Sequence, residues 1–498
     1  MSPFAQQPAD ILERLRTLRE ADAPTHGGRV LSYVYDSGMA ELDELAAAAM
    51  RLVQPVNGLD PTTFTSVPVM EREVISFVRD LLGGDENCVG SVTTGGTESC
   101  LLAVKTARDL WVEAGGKGTP RLLAPVTVHA AFQKAAHYFG LELDLVPVLP
   151  SGAVEAEAII GRMSNDVALV VVSAPSYAHA ALDPIVEVAA AASAWGIACH
   201  VDACIGGLIL PFWPNLPGWN LSVSGVTSIS ADLHKFGYAP KGVSVLLHRG
   251  RDRQRAQYFA TTGWPGYPVV NSTMLGSKSA APLAAAWAII SALGVEGLAA
   301  LAESCEHATT ALLETVSSIK GLRVIGDPVG PLFAVAADES VAAEQRVDPH
   351  HWADQVRSHG WLLQLQPGFR QTDGSYLPPT THLTVTPVTA SVLEPLSAIL
   401  VQAATEVRGM PTVSATDVFG ALPAPLVAGL TAPDAAPLNA ETAWGILEAM
   451  GLAGGAPTTT AGLPDRMAGL LAMIEALPAP LAQTLLIELL ARLVEPRS

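Results

Sequence analysis

Short apolar runs alternate with stretches of helical periodicity through the first half of the chain. The runs 122–128, 170–172 and 243–248 are short and bounded by turn residues, as buried strands are. Residues 100–114 have instead the spacing of a helix. Strands that alternate with helices form a mainly parallel sheet with helices on both faces. The pattern therefore predicts an α/β fold with such a sheet over residues 58–295.

Changes in periodicity and composition divide the chain into four predicted regions. An N-terminal helical segment, 1–57, precedes the strand-helix body, and a long helix at 280–293 leads out of that body. A smaller α+β domain, 296–410, follows, with strand candidates at 322–325, 332–336, 362–365 and 382–385. The tail, 411–498, is rich in Ala, Pro, Leu and Gly, with apolar helix candidates at 443–450, 466–476 and 481–494. We expect the tail to serve packing or assembly, because it has no cluster of catalytic residue types.

Composition and charge indicate which classes of binding partner are not expected for this protein. The 498 residues are 49% hydrophobic, enough for a sizeable core, and the formal net charge is -19. Nucleic acids and anionic membrane surfaces favour basic proteins, so neither is expected as a partner. Residues 1–29 lack the apolar core of a signal peptide, and no long apolar run suggests a membrane span. Five cysteines without metal-ligand spacing indicate a reducing cytoplasm and no metal site: Cys88, Cys100, Cys199, Cys204 and Cys305.

Lys235 lies on the connection between two short apolar runs, 226–230 and 243–248. Such a connection can direct an amine into a cleft, where it can bind pyridoxal 5′-phosphate (PLP) as a Schiff base. The attacking lysine must be neutral part of the time, which requires burial or a neighbouring positive charge. His234 and Lys241 are the neighbours predicted to lower the pKa of Lys235. For the His-Lys pair taken alone, a solvated surface loop is the alternative interpretation.

Two further segments favour a cofactor site. Asp202 ends an apolar run, and ligands of open α/β sheets bind at the carboxyl ends of strands. Its carboxylate can pair with the protonated ring nitrogen of PLP, whereas its alternative role is a turn cap. Gly95, Gly96 and Thr97 precede a helix, and backbone amides at a helix N-terminus bind phosphate. Alone, these three residues would be a glycine turn with a capping side chain.

Other side chains are predicted to lie around the same cleft. His129 follows the run 122–128 and can stack on the flat pyridine ring. Ser173 and Tyr177 follow another apolar run, so their hydroxyl and phenol groups can reach the cofactor or the substrate. We therefore include all three among the candidate site residues.

Five segments together carry a family resemblance: GGTES at 95–99, HAAFQKAA at 129–136, SAPSY at 173–177, HVDACIGG at 200–207 and SADLHKFGYAPKG at 230–242. In this order they resemble the PLP-dependent group II decarboxylase superfamily, within the branch of the sphingosine-1-phosphate lyases. The resemblance implies the fold type I PLP-dependent transferase fold, with PLP as the cofactor. That fold has a mainly parallel seven-stranded sheet and a smaller α+β C-terminal domain, to which this chain adds a helical tail.

By this resemblance, Lys235 forms the Schiff base and Asp202 binds the pyridinium nitrogen. Ala203 lies under the ring and His129 stacks on it. The remaining predicted cofactor-binding residues are Gly95, Gly96, Thr97, Ser173, Ser230 and His234. Lys241 matches the second lysine of the lyase motif and, with Tyr177, completes the predicted catalytic set.

The implied reaction is cleavage of a carbon–carbon bond next to the amine of a small amine or amino-acid-like substrate. Retro-aldol cleavage to an aldehyde and an amine, as in the lyases, and decarboxylation of an amino acid need the same cofactor groups, so both stay open. A non-catalytic PLP-fold binding protein is the remote alternative. Residues 55–64 and 264–278 differ from the lyase pattern, so the substrate is not defined. The irregular segment 258–278 predicts a loop that crosses a homodimer interface, with Lys278 at the partner's site.

Overall fold

The structure is a computed structural model that describes residues 4–414, 418–420, 422–432, 438–451 and 466–496. Its strands are β1 Cys88–Thr93, β2 Arg121–Pro125, β3 Glu142–Val146, β4 Val167–Ser173, β5 Ala198–Asp202, β6 Ser228–Ala231, β7 Ser244–Arg249, β8 Phe259–Thr261, β9 Val269–Asn271, β10 Leu322–Val324, β11 Leu332–Ala337, β12 Gln364–Gln366, β13 Phe369–Arg370, β14 Tyr376–Leu377 and β15 Thr380–Thr384. Its helices are α1 Pro8–Arg19, α2 Ala40–Leu52, α3 Ser66–Leu81, α4 Gly96–Glu113, α5 Ala130–Phe139, α6 Ala156–Ile160, α7 Ile185–Trp195, α8 Arg251–Gln257, α9 Ala281–Ser318, α10 Pro349–Ser358, α11 Leu393–Val407, α12 Ala424–Leu430, α13 Ala440–Ala449, α14 Ala468–Ala476 and α15 Ala479–Leu493.

Seven strands form the central sheet in the order β1-β7-β6-β5-β4-β2-β3. The strands β3, β2, β4, β5 and β6 run parallel, and β7 is antiparallel to both β6 and β1. Every residue of β4 and β5 is buried, because apolar side chains from the rest of the domain cover both faces of the sheet. The predicted α/β class and mainly parallel seven-stranded sheet are confirmed.

The first turn of α4 belongs to the glycine-rich motif itself. The sequence predicted a helix from Cys100, but α4 begins at Gly96, three residues after the end of β1 at Thr93. Gly95 has a φ of 145°, a conformation that glycine adopts without strain, so the chain enters the helix without a longer loop. The backbone amides of the motif therefore lie at the N-terminus of an 18-residue helix.

A second core belongs to the smaller domain. Its four-stranded antiparallel sheet has the order β10-β11-β15-β12, and it packs with α10, α11 and part of α9 around Phe333 and Trp352. The long helix α9 kinks at Gly294; the large core buries its residues on both sides of the kink, as far as Cys305, and the small core buries those from Ala308 onward. Both α9 and the stretch Pro387–Val407 are long and apolar enough to cross a membrane by length and composition. In α9, both protein cores bury many of the apolar side chains.

The predicted N-terminal helical segment contains a closed loop between α1 and α2. The carboxylate of Asp36 accepts hydrogen bonds from the backbone N–H groups of Gly27 and Gly38, each at 2.8 Å. These bonds tie together the two ends of the loop. The loop carries Tyr33 and Tyr35, whose positions near the candidate site are described below.

The described part of the tail contains α12 to α15, which share an apolar core of their own. Asp354 of α10 accepts hydrogen bonds from the N–H groups of Met467 and Ala468, at 2.9 and 3.0 Å, where α14 begins. Glu475 of α14 accepts another from the N–H of Gly368, at 2.8 Å. Hydrogen bonds to helix-terminal and loop amides thus attach the tail to the smaller domain.

Candidate active site

One cavity of about 500 Å³ brings together the start of α4, the start of α5 and the connection between β6 and β7. These segments are far apart in the sequence. The walls contain a group of the predicted site residues: Gly95, Gly96, Thr97, His129, His234 and Lys235. Cys100, Cys204 and Asp232 also line the cavity.

An ion pair holds Lys235 at the cavity wall. Its Nζ lies 3.0 Å from Oδ2 of Asp232, a carboxylate that is almost fully buried. Burial by itself lowers the pKa of a lysine, but Asp232 and weaker negative neighbours raise the pKa of Lys235 well above its ordinary value. The prediction that His234 and Lys241 lower the pKa of Lys235 is therefore wrong. Burial lowers the pKa of His234, so that imidazole is neutral near pH 7 and does not oppose Asp232.

Asp202 ends β5, with Ser173 of β4 on one side and Ser230 of β6 on the other. Its Oδ1 accepts a hydrogen bond from the N–H of Cys204 at 3.0 Å and lies 3.5 Å from Oγ of Ser230. The bond from Cys204 is the turn cap considered as its alternative role. The carboxylate also lies within 4.8 Å of Sγ of Cys204, which lines the cavity. A buried carboxylate at this edge of the sheet suits a protonated ring nitrogen.

Three predicted cofactor residues at the strand ends contact protein groups. The N–H of Ser173 donates to Oδ2 of Asp183 at 2.7 Å, and burial raises the pKa of Asp183 to about 7. Ala203 is fully buried, and its N–H donates to the carbonyl of Ser230 at 3.1 Å. Oγ of Ser230 is directed toward Asp202. The structure therefore places Ser173 and Ser230 beside Asp202 on the neighbouring strands.

The glycine motif has the shape required for close approach of an anion. A Cβ at Gly96 would lie 2.7 Å from Oδ2 of Asp232 and 2.9 Å from Sγ of Cys204, too close for any residue other than glycine. Gly95 requires glycine through its positive φ. The exposed side chain of Thr97 and the free N–H groups of the first turn of α4 supply donors. This donor set fits the phosphate of PLP.

His129 is held in place by the start of α5. Its Nδ1 accepts a hydrogen bond from the N–H of Ala131 at 3.2 Å, which assigns the ring proton of the neutral imidazole to Nε2. The side chain is exposed at the cavity. An exposed ring with a fixed position suits stacking on a flat cofactor.

Aromatic rings contact Tyr177 and Lys241, the two residues that complete the predicted catalytic set. Tyr177 stacks on His382 of the smaller domain, with 4.2 Å between the ring centroids. Nζ of Lys241 donates to the carbonyl of His234 at 3.0 Å and lies 4.5 Å from the ring centroid of Tyr35. Desolvation and the nearby Lys235 lower the pKa of Lys241 to about 8. Lys241 is thus the lysine that can be neutral near physiological pH.

Tyr33 and Tyr35 are candidate site residues that the sequence analysis missed. Tyr35 packs edge-on against Phe236, next to Lys235, and burial raises its pKa to about 12. Tyr33 is 64% exposed and has a φ of 60°, which is rare for a residue with a side chain. No local motif marks these tyrosines, because the loop that Asp36 closes brings them to the site.

Three potential metal ligands lie together in the described structure: Cys100, Asp202 and Cys204 have ligand atoms within 4.8 Å of one another. Burial raises the pKa of Cys100, and the hydrogen bond with Cys100, together with burial, raises that of Cys204 well above its ordinary value. Burial thus favours the protonated form of both thiols. The expectation of no metal site stays a prediction.

A lysine and a glycine-rich helix N-terminus that line one cavity, with a strand-end carboxylate beside its wall, define the class of PLP enzymes of fold type I. Residues 56–334 match the family described as "Pyridoxal-dependent decarboxylase conserved domain", and 424–492 match "Pyridoxal-dependent enzyme, C-terminal putative HTH domain". The chain belongs to the pyridoxal-dependent decarboxylase family, in the branch that contains the sphingosine-1-phosphate lyases.

Relatives and solved structures support this assignment. The chain is 35% identical to the sphingosine-1-phosphate lyase of Dictyostelium discoideum over 69% of its own length, and it spans 66% of that protein. The structure of sphingosine-1-phosphate lyase from Burkholderia pseudomallei has a TM-score of 0.75 at 31% identity, covering 82% of this chain and 93% of that one. Glutamate decarboxylase from Lactobacillus brevis, at 17% identity and a TM-score of 0.71, covering 83% of this chain and 95% of its own, shares the fold. The predicted family, fold and PLP cofactor are confirmed.

Proposed function

We propose that this protein is a PLP-dependent lyase that cleaves the carbon–carbon bond next to the amine of its substrate, most like the sphingosine-1-phosphate lyases. The observation that carries the proposal is that Lys235 and the glycine motif line one cavity, with the carboxylate of Asp202 within 4.8 Å of Sγ of Cys204 in its wall. Lys241 near Lys235, with its lowered pKa, favours the retro-aldol reaction, because that reaction requires a base for the substrate hydroxyl. Decarboxylation of an amino acid is the alternative outcome.

Different residues at and beside the cavity would hold different parts of PLP. The glycine motif would hold the phosphate, His129 the ring face and Asp202 the ring nitrogen. When bound, PLP supplies an electron sink for the electrons of the broken bond. The carboxylate of Asp232 can stabilise the protonated amine of Lys235, because its Oδ2 lies 3.0 Å from Nζ.

The reaction type is tested with a substrate panel that follows aldehyde and carbon dioxide in parallel. The panel contains phosphorylated sphingoid bases, shorter phosphorylated amino alcohols and the common amino acids, with a Lys235→Ala variant as the control. We expect aldehyde release from a phosphorylated amino alcohol, without carbon dioxide. Carbon dioxide release from an amino acid, with no aldehyde from any amino alcohol, would establish the decarboxylase instead.

The pH dependence of turnover tests the role of Lys241. Because its pKa is about 8, compared with the ordinary value of 10.5, the neutral amine increases as the pH rises from 7 to 9. If the neutral amine is the base, kcat rises over this range. Lys241→Arg removes this rise and lowers kcat at pH 8 by about 100-fold, since a guanidinium stays protonated. A kcat that falls above pH 8 in the wild type would show that the ammonium form is needed.

We also propose a cytoplasmic homodimer with shared active sites. Lys278 lines a groove beside α3, and its Nζ lies 3.4 Å from Oγ1 of Thr273, on the segment predicted to cross the dimer interface. Cys88, Cys100, Cys199, Cys204 and Cys305 are free thiols, as in a reducing compartment. The tail carries more acidic than basic residues, which does not favour nucleic acid as a partner.

Subunit mixing tests the shared site. Lys235→Ala and Lys278→Ala homodimers are each expected to be inactive, and exchange of their subunits is expected to restore about a quarter of the wild-type activity, because half of the dimers are mixed and each has one intact site. Native mass spectrometry confirms the exchange. Inactive mixtures after confirmed exchange, or a fully active monomer in sedimentation, would contradict the shared site.

A further inference from the structure

A continuous series of buried hydrogen bonds lies behind Asp202. The register of β5 and β6 pairs His200 with Ser228 and Asp202 with Ser230. Nδ1 of His200 lies 2.9 Å from Oγ of Ser228, and Nε2 lies 3.2 Å from Oγ of Ser230. Oγ of Ser230 in turn lies 3.5 Å from Oδ1 of Asp202. The series therefore begins at Ser228 and ends at the carboxylate assigned to the ring nitrogen of PLP.

The protons available to His200, Cys204 and Ser230 limit which of these groups donates and which accepts. His200 is fully buried, and burial lowers its pKa to about 4, so the ring is neutral and carries one N–H. Sγ of Cys204 lies 3.2 Å from Oγ of Ser230, in the geometry of a donor to it. If Nε2–H of His200 donates to Ser230 as well, both lone pairs of that hydroxyl are used. Its own proton is then directed to Asp202.

The other tautomer of His200 gives the opposite result. With the proton on Nδ1, the ring donates to Ser228, and Nε2 becomes an acceptor for the hydroxyl proton of Ser230. Oδ1 of Asp202 then keeps only the N–H of Cys204. A negative carboxylate at the end of the series favours the tautomer that directs donors toward it, because the surroundings are buried and screen charge weakly.

We propose that His200, as the Nε2–H tautomer, and Ser230 are positioning residues that orient Asp202 toward the ring nitrogen of PLP. This inference rests on the proposed role of Asp202. It assigns Ser230 to the support of the carboxylate, in place of the direct cofactor contact predicted from the sequence. His200 had no predicted role.

The tautomer is measured in the apoenzyme, where turnover has no influence. Ring nitrogens of ¹⁵N-histidine-labelled protein are observed by NMR, and His200→Gln identifies the signals of His200 by their loss. We expect a protonated Nε2 and an unprotonated Nδ1 from pH 6 to 8, and a changed Nε2 shift in Ser230→Ala. A protonated Nδ1, or a doubly protonated ring, would overturn the proposal even if the enzyme proves to be a lyase.

The second measurement uses the enzyme with bound PLP and follows cofactor affinity and absorbance. Ser230→Ala is expected to weaken PLP binding by about 10-fold and to shift the pH at which the absorbance of the bound cofactor changes, because Asp202 loses a charge-assisted hydrogen bond. Ser230→Thr keeps the hydroxyl and is expected to restore both values toward the wild type.

A matched control removes a buried hydroxyl elsewhere. Thr309→Ala in α9 deletes a hydroxyl that donates to the carbonyl of Cys305 at 2.7 Å, and it is expected to change stability without changing either cofactor value. Equal effects of Ser230→Ala and Thr309→Ala, or normal PLP affinity and absorbance in Ser230→Ala, would reduce Ser230 to a packing residue. A protein that binds PLP as described but cleaves neither class of substrate would contradict only the proposed function.

Discussion

Replacement of Lys235 by alanine is expected to remove the covalent link to PLP and to lower turnover by at least about 1,000-fold, because the variant lacks the attacking amine. In the wild type, borohydride reduction followed by peptide mapping is expected to find the pyridoxyl group on Lys235. The side chain is already at the cavity wall, 3.0 Å from Asp232.

The Lys241→Ala variant tests whether the loss of the covalent link is specific to Lys235. It has the lower pKa of the two lysines, and it belongs to the same motif. Lys241→Ala is expected to retain the pyridoxyl group at Lys235 while losing turnover. A pyridoxyl group on Lys241, or an unchanged covalent link in Lys235→Ala, would reverse the assignment of the two lysines.

Asp202→Asn is expected to lower kcat by about 100-fold or more, because the amide cannot stabilise a protonated ring nitrogen in a buried site. The fold is expected to be retained, since the amide oxygen can still accept the N–H of Cys204. Measurements of kcat, PLP affinity and the unfolding temperature separate these effects. Near-normal kcat in a variant that binds PLP would exclude the proposed contact with the ring nitrogen.

Local sequence was sufficient to predict the central sheet and to propose most of the groups that would hold the cofactor. Strands such as β4 are uninterrupted apolar runs, and such runs are stable only when both faces of a sheet are covered. The glycine motif and Lys235 lie in short segments whose chemistry can be recognised without the fold. Their presence around one cavity was predicted from the order of these segments and agrees with the structure.

The start of α4 and the direction of the pKa shift of Lys235 were both predicted wrongly, because each depends on a tertiary contact with Asp232. Propensity places glycine outside a helix, but close packing against Asp232 and Cys204 requires a glycine in the first turn. For Lys235, the sequence shows positive neighbours but not which group lies nearest to Nζ. The burial of Asp232 beside that amine decides the direction of the shift.

By itself, the sequence determined the α/β class and the PLP cofactor, and it predicted the lysine, the carboxylate and the phosphate motif, because each depends on short contiguous runs of residues. Only the tertiary structure decided which groups surround them. Tyr35 reaches the site from a loop closed by Asp36, and His200 meets Ser230 through the register of two strands. Contacts between distant segments depend on how the chain packs, and no local pattern records that packing.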